Sequence, residues 1–370
     1  MTVNPPSVLV RKESVKSPAR ATIADVARMA GVAPMTVSRV LTGSAAVRPE
    51  KVQRIQEAIQ MLRYRPNETA RALRSQRSKT IGLIVPRLSD PFFATIAHAV
   101  NNVAAANGYS VLITTSNDEE NTEYSQAQMM VHRGVEGIVI IPGSGYHSKL
   151  NRQEFEHVSL VALDKPIDDP SIDSVFVENL EGSRLAVEHL IAHGHERITC
   201  VSDASTLYTL RKREEGYRRA MMDHDLNIHT LPDCTADRAP DMVRQLMEGK
   251  TPPTAVFTTN GPATRNVLRT LLQLGVRMPD KLALIGFDDF EFADMLQTSL
   301  TVVRQPAIEM GRIAAMRMFE QLNEEGHKHV GKVTTLPVEL VIRRSCGCKP
   351  KVSSSRRDHR ASEMKQSPAS

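Results

Sequence analysis

The hydrophobic positions of the chain change their spacing near residue 79. Between residues 22 and 75 the apolar side chains recur every three or four positions, which is the spacing of amphipathic helices. After residue 79, short runs of β-branched and other apolar residues alternate with longer stretches of helical spacing. Residues 1–20 and 349–370 are rich in Ser, Pro, Lys and Arg and have neither period, so we expect two disordered tails.

The apolar runs of the second region are nearly continuous, which is typical of strands buried on both faces of a sheet. We predict strands at 81–85, 110–114, 137–141, 160–163, 174–177, 198–201, 255–258 and 282–285. Helices are predicted at 93–107, 125–133, 180–193, 213–223, 240–248 and 263–274. Strands that alternate with helices indicate an α/β fold with parallel strands. The pattern fits one barrel, one wide sheet or two sheets.

Three short helices are predicted in the first region. The first has Thr22 as its N-cap, Asp25 in its first turn and Gly31 at its end. The second begins at Pro34, and the third covers residues 49–62. Their apolar positions can share one small core, as in a helix-turn-helix. The outer face of the second helix would then meet the major groove of DNA, and it carries Met35, Thr36, Ser38 and Arg39. A polar-faced bundle without this function is the alternative.

Charge is segregated along the chain, although the net charge is only +5. Residues 1–79 contain 15 Lys and Arg against 5 Asp and Glu, whereas residues 80–348 contain 26 against 35. A basic N-terminal region on an acidic body predicts a polyanionic partner for that region. A solvated basic tail explains residues 1–20 equally well, but residues 21–79 also have the helical pattern.

Several classes of protein are disfavoured by the sequence. No apolar run approaches the roughly 18–20 residues of a membrane span, and the N-terminus has no apolar stretch typical of a secretory signal. We therefore expect a cytoplasmic protein without a membrane partner. The motifs GxGxxG, GxxxxGK[ST], GxSxG and HExxH do not occur where an enzyme mechanism would need them, so neither a catalytic residue nor a cofactor is predicted.

The four cysteines are expected to be free thiols, and no metal site is predicted. Cys346-Gly-Cys348 lacks a second ligand pair, and a single CxC is weak evidence for a metal. The histidines of His193-Gly-His195 also lack partners as metal ligands, so we interpret them as structural.

Four segments with consistent spacing carry a family resemblance. They are Ile23-Ala-Asp-Val-Ala, Ala-Gly-Val at 30–32, Thr-Val-Ser-Arg-Val-Leu at 36–41, and Tyr64-Arg-Pro-Asn-Glu-Thr-Ala-Arg-Ala-Leu73. This pattern closely resembles the lactose/galactose repressor (LacI/GalR) family of bacterial transcriptional regulators. The strand order after residue 79 fits the same family, so the resemblance covers about residues 21–348. It implies that Pro34, Met35, Ser38 and Arg39 face the base edges of an operator.

The resemblance also implies that residues 67–79 hold a hinge helix that folds only on DNA. The segment is too short and too polar to be a stable helix alone. One such helix from each subunit would enter the minor groove, where Leu73 would insert into the central base step. A plain flexible linker is the alternative. With the second helix, the predicted DNA-binding residues are Thr22, Pro34, Met35, Thr36, Ser38, Arg39, Asn67, Ala70, Arg71, Leu73 and Arg74.

By the same resemblance, a helix-turn-helix domain at 21–66 precedes an effector-binding core at 80–348. The core is expected to resemble periplasmic binding proteins, with two doubly wound parallel-sheet subdomains joined by three crossovers near Val177, Arg304 and Val333. The N-subdomain would cover about 80–176 and 305–332, and the C-subdomain about 177–304 and 333–348.

Ligands of open α/β sheets bind at the carboxyl ends of the strands. The loops there supply the predicted effector-binding residues, which are Asp90, Phe92, Phe93, Asp164, Arg213, Asn260, Asp288 and Gln305. Arg213 and Asp288 stand in motifs that match the family. Asn260 has an alternative role as an N-cap before Pro262, and Asp164 as a support for a crossover loop. Family members usually have an Asp after this Asn, whereas this chain has Gly261.

The predicted function is therefore that of a sequence-specific DNA-binding transcriptional regulator, expected to be a repressor. Its partners would be double-stranded operator DNA and a small-molecule effector, a sugar or related metabolite, that controls operator affinity. A homodimer is expected, with a tetramer as the alternative. An exported solute-binding protein would share the core, but it would carry a signal where this chain has a DNA-binding region.

Overall fold

The computed structural model describes residues 21–42, 47–64, 77–143, 149–203, 207–323 and 330–348. The chain divides into two units between Ser78 and Lys79. The two predicted tails, residues 1–20 and 349–370, lie outside the described residues.

The first unit contains three helices, α1 (Ile23–Ala30), α2 (Pro34–Thr42) and α3 (Pro49–Met61). Thr22 begins α1 through a capping box with Asp25, and Gly31 ends it in the left-handed conformation, with φ of 64°. Apolar side chains from all three helices form one core, centred on Val26, Ala27, Ala30, Val37, Ile55 and Ala58. The predicted helix-turn-helix is confirmed.

The second unit contains two parallel sheets. The first consists of β1 (Thr80–Val85), β2 (Ser110–Thr115), β3 (Gly137–Ile140), β4 (Ser159–Leu163), β5 (Asp173–Val177) and β11 (Val333–Leu336). Their order across the sheet is β11-β5-β4-β3-β1-β2, and all pairs are parallel.

The second sheet has the same arrangement at its centre. It consists of β6 (Ile198–Val201), β7 (His229–Leu231), β8 (Ala255–Thr258), β9 (Ala283–Phe287), β10 (Thr301–Arg304) and β12 (Glu339–Val341). The order is β12-β10-β9-β8-β6-β7, and only β12 is antiparallel among the described strands. Two sheets, rather than a barrel or one wide sheet, satisfy the predicted alternation.

Helices cover both faces of each sheet. They are α4 (Pro91–Ala106), α5 (Glu120–His132), α6 (Asn179–Ala192), α7 (Tyr208–Asp223), α8 (Ala239–Glu248), α9 (Gly261–Gln273) and α10 (Ala307–Asn323). Four buried apolar clusters result, one on each face of each sheet. The core is therefore doubly wound, as predicted. None of the described helices is long and apolar enough to cross a membrane.

Three segments connect the two sheets. The chain leaves the first sheet after β5, returns to it after β10, and crosses once more between β11 and β12. The third crossover lies at residues 337–338, so its predicted position near Val333 is wrong. Val333 begins β11, which pairs with β5 in the first sheet. This strand is partly exposed at a sheet edge, and its short Val-Thr-Thr-Leu pattern lacks the continuous apolar character used to predict strands.

The contact between α6 and α7 requires a glycine on α7. A Cβ atom at Gly216 would lie 2.2 Å from the carbonyl oxygen of Leu180 and 2.9 Å from Cβ of Ser183, both on α6. Gly249, after α8, has ordinary spacing, since its Cβ atom would lie 3.5 Å from the nearest atom. Close packing of α6 and α7 therefore depends on Gly216.

We predict that Gly216→Ala lowers the free energy of unfolding by about 1–3 kcal/mol, because backbone cannot give way to the added methyl group. Gly249→Ala serves as the matched control and is expected to change it by less than about 0.5 kcal/mol. Urea denaturation of the two variants measures both values. Equal stabilities would mean that the two helices separate freely at this point.

Candidate functional site

The second helix of the first unit presents a polar face away from the small core. Val37 is fully buried, whereas Pro34, Met35 and Arg39 are exposed, Met35 by 64%. Thr36 and Ser38 are half-buried. The predicted DNA-reading side chains of α2 therefore share the side of the helix that the core leaves accessible.

Thr22 is engaged in the cap of α1. Its hydroxyl donates to Oδ2 of Asp25 at 2.7 Å and accepts from the Asp25 backbone N–H at 3.3 Å. The Thr22 hydrogen bonds hold the pKa of the Asp25 carboxyl below its usual value. The remaining predicted DNA contacts, Asn67, Ala70, Arg71, Leu73 and Arg74, lie outside the described residues.

In the second unit, all eight predicted effector residues line one cavity at the carboxyl ends of the strands. These are Asp90, Phe92, Phe93, Asp164, Arg213, Asn260, Asp288 and Gln305. The strand order reverses beside β1 in the first sheet and beside β6 in the second. Open α/β sheets form a crevice at such a reversal, because the flanking loops turn to opposite faces.

Arg213 is a buried cation of this cleft, with 3% of its surface exposed. Its Nε donates to Oδ1 of Asn179 at 2.8 Å, and its Nη1 donates to the Thr259 carbonyl oxygen at 2.9 Å. Nη1 also lies 3.7 Å from Oδ2 of Asp288. The guanidinium carbon stacks 3.7 Å from the ring centre of Phe287. Its plane is therefore fixed by four neighbours.

Asp288 connects the strand ends of the second sheet to the second crossover. Its Oδ2 accepts from the Gly261 backbone N–H at 3.0 Å, and its Oδ1 accepts from Nε2 of Gln305 at 2.5 Å. Its backbone is left-handed, with φ of 74°, and Asp164 has φ of 66°. Strained backbone of this kind at two strand ends is typical of functional sites.

The first subdomain contributes an acid and two aromatic rings. Asp90 caps α4, where its Oδ1 accepts from the Phe92 backbone N–H at 3.0 Å. Burial and the nearby Asp288 carboxylate raise the pKa of Asp90. The rings of Phe92 and Phe93 stand edge to face, 5.3 Å apart. An acceptor beside apolar ring surface is suited to both the hydroxyl and the C–H groups of a ligand.

Asn260 both caps a helix and lines the cleft. Its Oδ1 accepts from the Ala263 backbone N–H at 3.0 Å, and its Nδ2 donates to Oδ1 of Asp203 at 2.7 Å. Gly261 occupies the position where the family usually has an acid. Its backbone N–H donates to Oδ2 of Asp288. The capping alternative for Asn260 and its place in the cleft are therefore compatible.

Two acceptor atoms in the cleft are buried without a hydrogen-bond partner among the described residues. They are Oδ1 of Asp164 and Oε1 of Gln305. Burial raises the pKa of Asp164 to about 6, an effect that Arg213 and Lys165 partly offset. A buried acceptor without a partner is costly, so both atoms are suited to a ligand that donates hydrogen bonds.

A charged group that was not predicted from the sequence lines the same cavity and consists of Arg87, Asp118 and Lys165. Lys165 is buried and donates to Oδ1 of Asp118 at 2.8 Å, while Arg87 lies 3.2 Å from Oδ2 of the same residue. Asp118 follows the carboxyl end of β2, so the strand-end rule applied to that strand would have found it. The pairing itself has no sequence signal.

Comparisons with known proteins agree with this architecture. Residues 22–67 match the family model described as bacterial regulatory proteins, lacI family, and residues 187–346 match the periplasmic binding protein-like domain. The ribose operon repressor of Halalkalibacterium halodurans is 30% identical over 328 residues, which cover 87% of this chain and 96% of that protein. The HTH-type transcriptional repressor PurR of Photobacterium profundum is 29% identical, with 88% and 98% covered.

This chain belongs to the LacI family. A solved structure, the complex of the transcriptional regulator CelR with cellobiose, is 26% identical, has a TM-score of 0.64, and matches 88% of this chain and all of that one. The LacI-family chain is thus a DNA-binding transcriptional regulator, in which a helix-turn-helix unit precedes a periplasmic binding protein-like core, and it is not an enzyme.

One interpretation from the sequence needs correction in this LacI-family regulator. The CxC segment and His193 were expected to lack partners as ligands, but they lie together in the fold. Nε2 of His193 lies 3.1 Å from Sγ of Cys348, and His189 is part of the same group with Cys346. The i, i+4 spacing of His189 and His193 was visible in the sequence, whereas their contact with the cysteines was not.

Asp164 generates a prediction about pH. Its folded pKa of about 6 lies above the value of about 3.9 in an unfolded chain, so its ionisation destabilises the folded protein as the pH rises through this interval. Asp164→Asn removes the buried charge and tolerates the left-handed backbone. At pH 8 we expect a free energy of unfolding higher by about 1–3 kcal/mol, with the gain lost at pH 4.

Urea denaturation at the two pH values tests this prediction. Asp118→Asn is the matched control with the opposite sign, because it leaves the buried Lys165 without its carboxylate and should cost about 3 kcal/mol or more at pH 8. Asp164→Asn protein that is no more stable than wild type at pH 8 would show that the Asp164 charge is compensated.

Proposed function

We propose that this LacI-family regulator is a repressor whose operator affinity is controlled by a small polyhydroxylated molecule, of the carbohydrate class, bound in the cleft. The observation that carries the proposal is the pair of buried acceptors without protein partners, Asp164 Oδ1 and Gln305 Oε1, beside the buried Arg213. A sugar hydroxyl can both donate and accept hydrogen bonds, so it can bond to these two acceptors and to the neighbouring guanidinium donor. Asp90, Phe92, Phe93, Asn260 and Asp288 complete the proposed set of contacts.

The charge pairing of the cleft argues against a phosphorylated ligand. Arg87 and Lys165 share the carboxylate of Asp118, and Arg213 lies near that of Asp288. A phosphate would have to displace these carboxylates, because phosphate sites depend on cations or helix N-termini that are free to bind it. Hydroxyl groups can join the existing hydrogen bonds without breaking the ion pairs.

Two of the similar proteins support a carbohydrate on independent grounds. One is named for the ribose operon, and the solved regulator of similar architecture holds cellobiose. These two sugars differ greatly in size, so they support the class of ligand and leave its identity to experiment.

On the DNA side, we propose that two copies of the chain read a pseudo-palindromic operator in the cytoplasm. The exposed face of α2 would contact base edges through Pro34, Met35, Thr36, Ser38 and Arg39, with Thr22 near the backbone. A homodimer places two such helices in successive major grooves. By family resemblance, a hinge at Asn67, Ala70, Arg71, Leu73 and Arg74 would bind the minor groove between them.

The effector prediction is tested with sugars of different size and charge. D-Ribose, cellobiose and D-gluconate are titrated into the full-length protein by calorimetry, with ribose 5-phosphate and adenine as contrasts. We expect a hydroxyl-rich compound to bind. Arg213→Ala should weaken that binding by about ten- to a hundredfold, because it removes charge-assisted hydrogen bonds.

Arg219→Ala is the control on the same helix, since Arg219 is exposed and pairs only with Glu215 among the described residues. Operator affinity of Arg213→Ala without effector should stay near wild type, which shows that the variant is folded. Wild-type affinity of Arg213→Ala for the sugar would contradict the assigned cleft. Exclusive binding of the phosphate or the aromatic base would contradict the ligand class.

The DNA prediction compares two methionines of similar exposure in the same unit. Met35 on α2 and Met61 at the end of α3 are exposed by 64% and 71%. After selection of the operator from random DNA, Met35→Ala should change operator affinity by about fivefold or more and alter the preferred base at one position of each half-site. Met61→Ala should do neither. Equal effects of the two substitutions would assign base reading to another surface.

A further inference from the structure

Two histidines and two cysteines meet at the end of the C-subdomain away from the cleft. His189 lies near the end of α6, and His193 is its C-cap residue. Cys346 and Cys348 lie beyond β12, at the end of the described chain. One ligand atom from each of His189, Cys346 and Cys348 lies within 4.8 Å of the other two.

His193 adjoins this group through Cys348, although its ligand nitrogen is not within 4.8 Å of all three other ligand atoms. Nε2 of His193 lies 3.1 Å from Sγ of Cys348, and Nε2 of His189 lies 3.5 Å from the same sulfur. The two imidazole rings are 4.4 Å apart, centre to centre. In a tetrahedral zinc site, a nitrogen and a sulfur ligand are separated by about 3.6 Å, from bond lengths of about 2.1 and 2.3 Å. Shifts of about half an ångström would therefore bring each of these two nitrogen–sulfur pairs to the coordinated distance.

Hydrogen bonds orient the imidazole of His193. Its Nδ1 lies 2.8 Å from the carbonyl oxygen of His189, to which only a protonated Nδ1 can donate. Nε2, which faces Cys348, then holds the lone pair that a metal needs. Metal-binding histidines are commonly oriented in this way by a backbone carbonyl.

The cysteine segment is held in place by bonds that do not involve the cysteines. The backbone N–H of Leu284 donates to the Ser345 carbonyl oxygen, and the Ser345 hydroxyl donates to the Leu284 carbonyl oxygen. Gly347, with φ of 96°, makes the tight turn that a CxC segment needs to bring both sulfurs to one side. The two cysteines are thus positioned before any ligand binds.

Cys346 is fully buried, and its sulfur accepts a hydrogen bond from the Thr301 hydroxyl at 3.1 Å. That hydroxyl in turn accepts from the Arg343 backbone N–H at 2.9 Å, so its own proton is directed to the sulfur. As a thiol, Cys346 would donate to the Arg343 carbonyl oxygen only over a long distance, 3.7 Å. The surroundings are therefore suited to a thiolate, the form that binds metals.

We propose that His189, His193, Cys346 and Cys348 form a tetrahedral Zn²⁺ site. Two thiolates and two imidazoles are a donor set that zinc prefers, and the His-x₃-His spacing on a helix is typical of such sites. The CxC spacing is shorter than the usual two to four intervening residues, and the turn at Gly347 accommodates it. This site is distinct from the effector cleft.

Zinc at this point would clamp the segment from Cys346 to Cys348 to α6. His193 and Cys348 are 155 positions apart in sequence, so the metal would close a long loop that contains most of the C-subdomain. The opposite end of α6 carries Asn179, about 15 Å away along ten helical residues. The expected consequence is stability of the subdomain, with no direct contact to the effector.

The test uses full-length protein purified under reducing conditions and dialysed against buffered Zn²⁺. We expect one equivalent of tightly bound Zn²⁺ per chain by elemental analysis. Replacement with Co²⁺ should give the intense visible bands of a tetrahedral site and a thiolate charge-transfer band. Cys348→Ser and His193→Gln should lower Zn²⁺ affinity at least about a hundredfold and abolish the zinc-dependent rise in melting temperature.

His195→Gln is the matched control, because the His195 ring bonds to Thr254, outside the cluster, and its zinc binding should equal that of wild type. Cys346 is not substituted, since it is part of the buried core. Wild-type protein that binds no zinc, or that contains a Cys346–Cys348 disulfide stable to the reductant, would overturn the proposal. So would zinc that remains bound in both Cys348→Ser and His193→Gln.

Discussion

A buried guanidinium group determines how the cleft of this regulator is built. Arg213 is almost wholly removed from water, and such a charge is tolerated only when acceptors surround it. Those acceptors come from three separate elements, with Asn179 at the start of α6, Thr259 after β8 and Asp288 after β9. One side chain of α7 therefore fixes the relative positions of two strand ends and a helix start.

The same bonds reach the segments that connect the two sheets. Asn179 follows the first crossover directly, and Asp288 accepts from Gln305 at the second crossover. A ligand that hydrogen-bonds to Asp288 or Gln305 therefore also alters the hydrogen bond that joins Asp288 to the second crossover. An effector shifts the arrangement of such a core only by its differential affinity for two states, and the resulting coupling to DNA affinity must be reciprocal. The network through Arg213 supplies contacts that can differ between states.

Much of this arrangement could be predicted because its signals are local. Eight strands and the three helices of the first unit were found from apolar spacing and caps, and the eight cleft residues from the strand-end rule together with the family resemblance. The short strands β7, β10, β11 and β12 were missed, and all four lie at or next to sheet edges and lack long apolar runs. The pairing of Lys165 with Asp118, and of His193 with Cys348, joins residues far apart in sequence. Such contacts depend on the tertiary fold, which no local pattern encodes.

Helix α6 relates the two candidate ligand sites of the C-subdomain. Its first residue, Asn179, holds the buried guanidinium, and its last turn and cap carry His189 and His193. Between them, α6 packs so closely on α7 that Gly216 touches the backbone of Leu180. Since packed helices move as rigid elements rather than bending, restraint at the histidine end also limits movement at the Asn179 end. The stability of the subdomain and the precision of the cleft thus depend on the same helix, although no ligand of one site would touch the other.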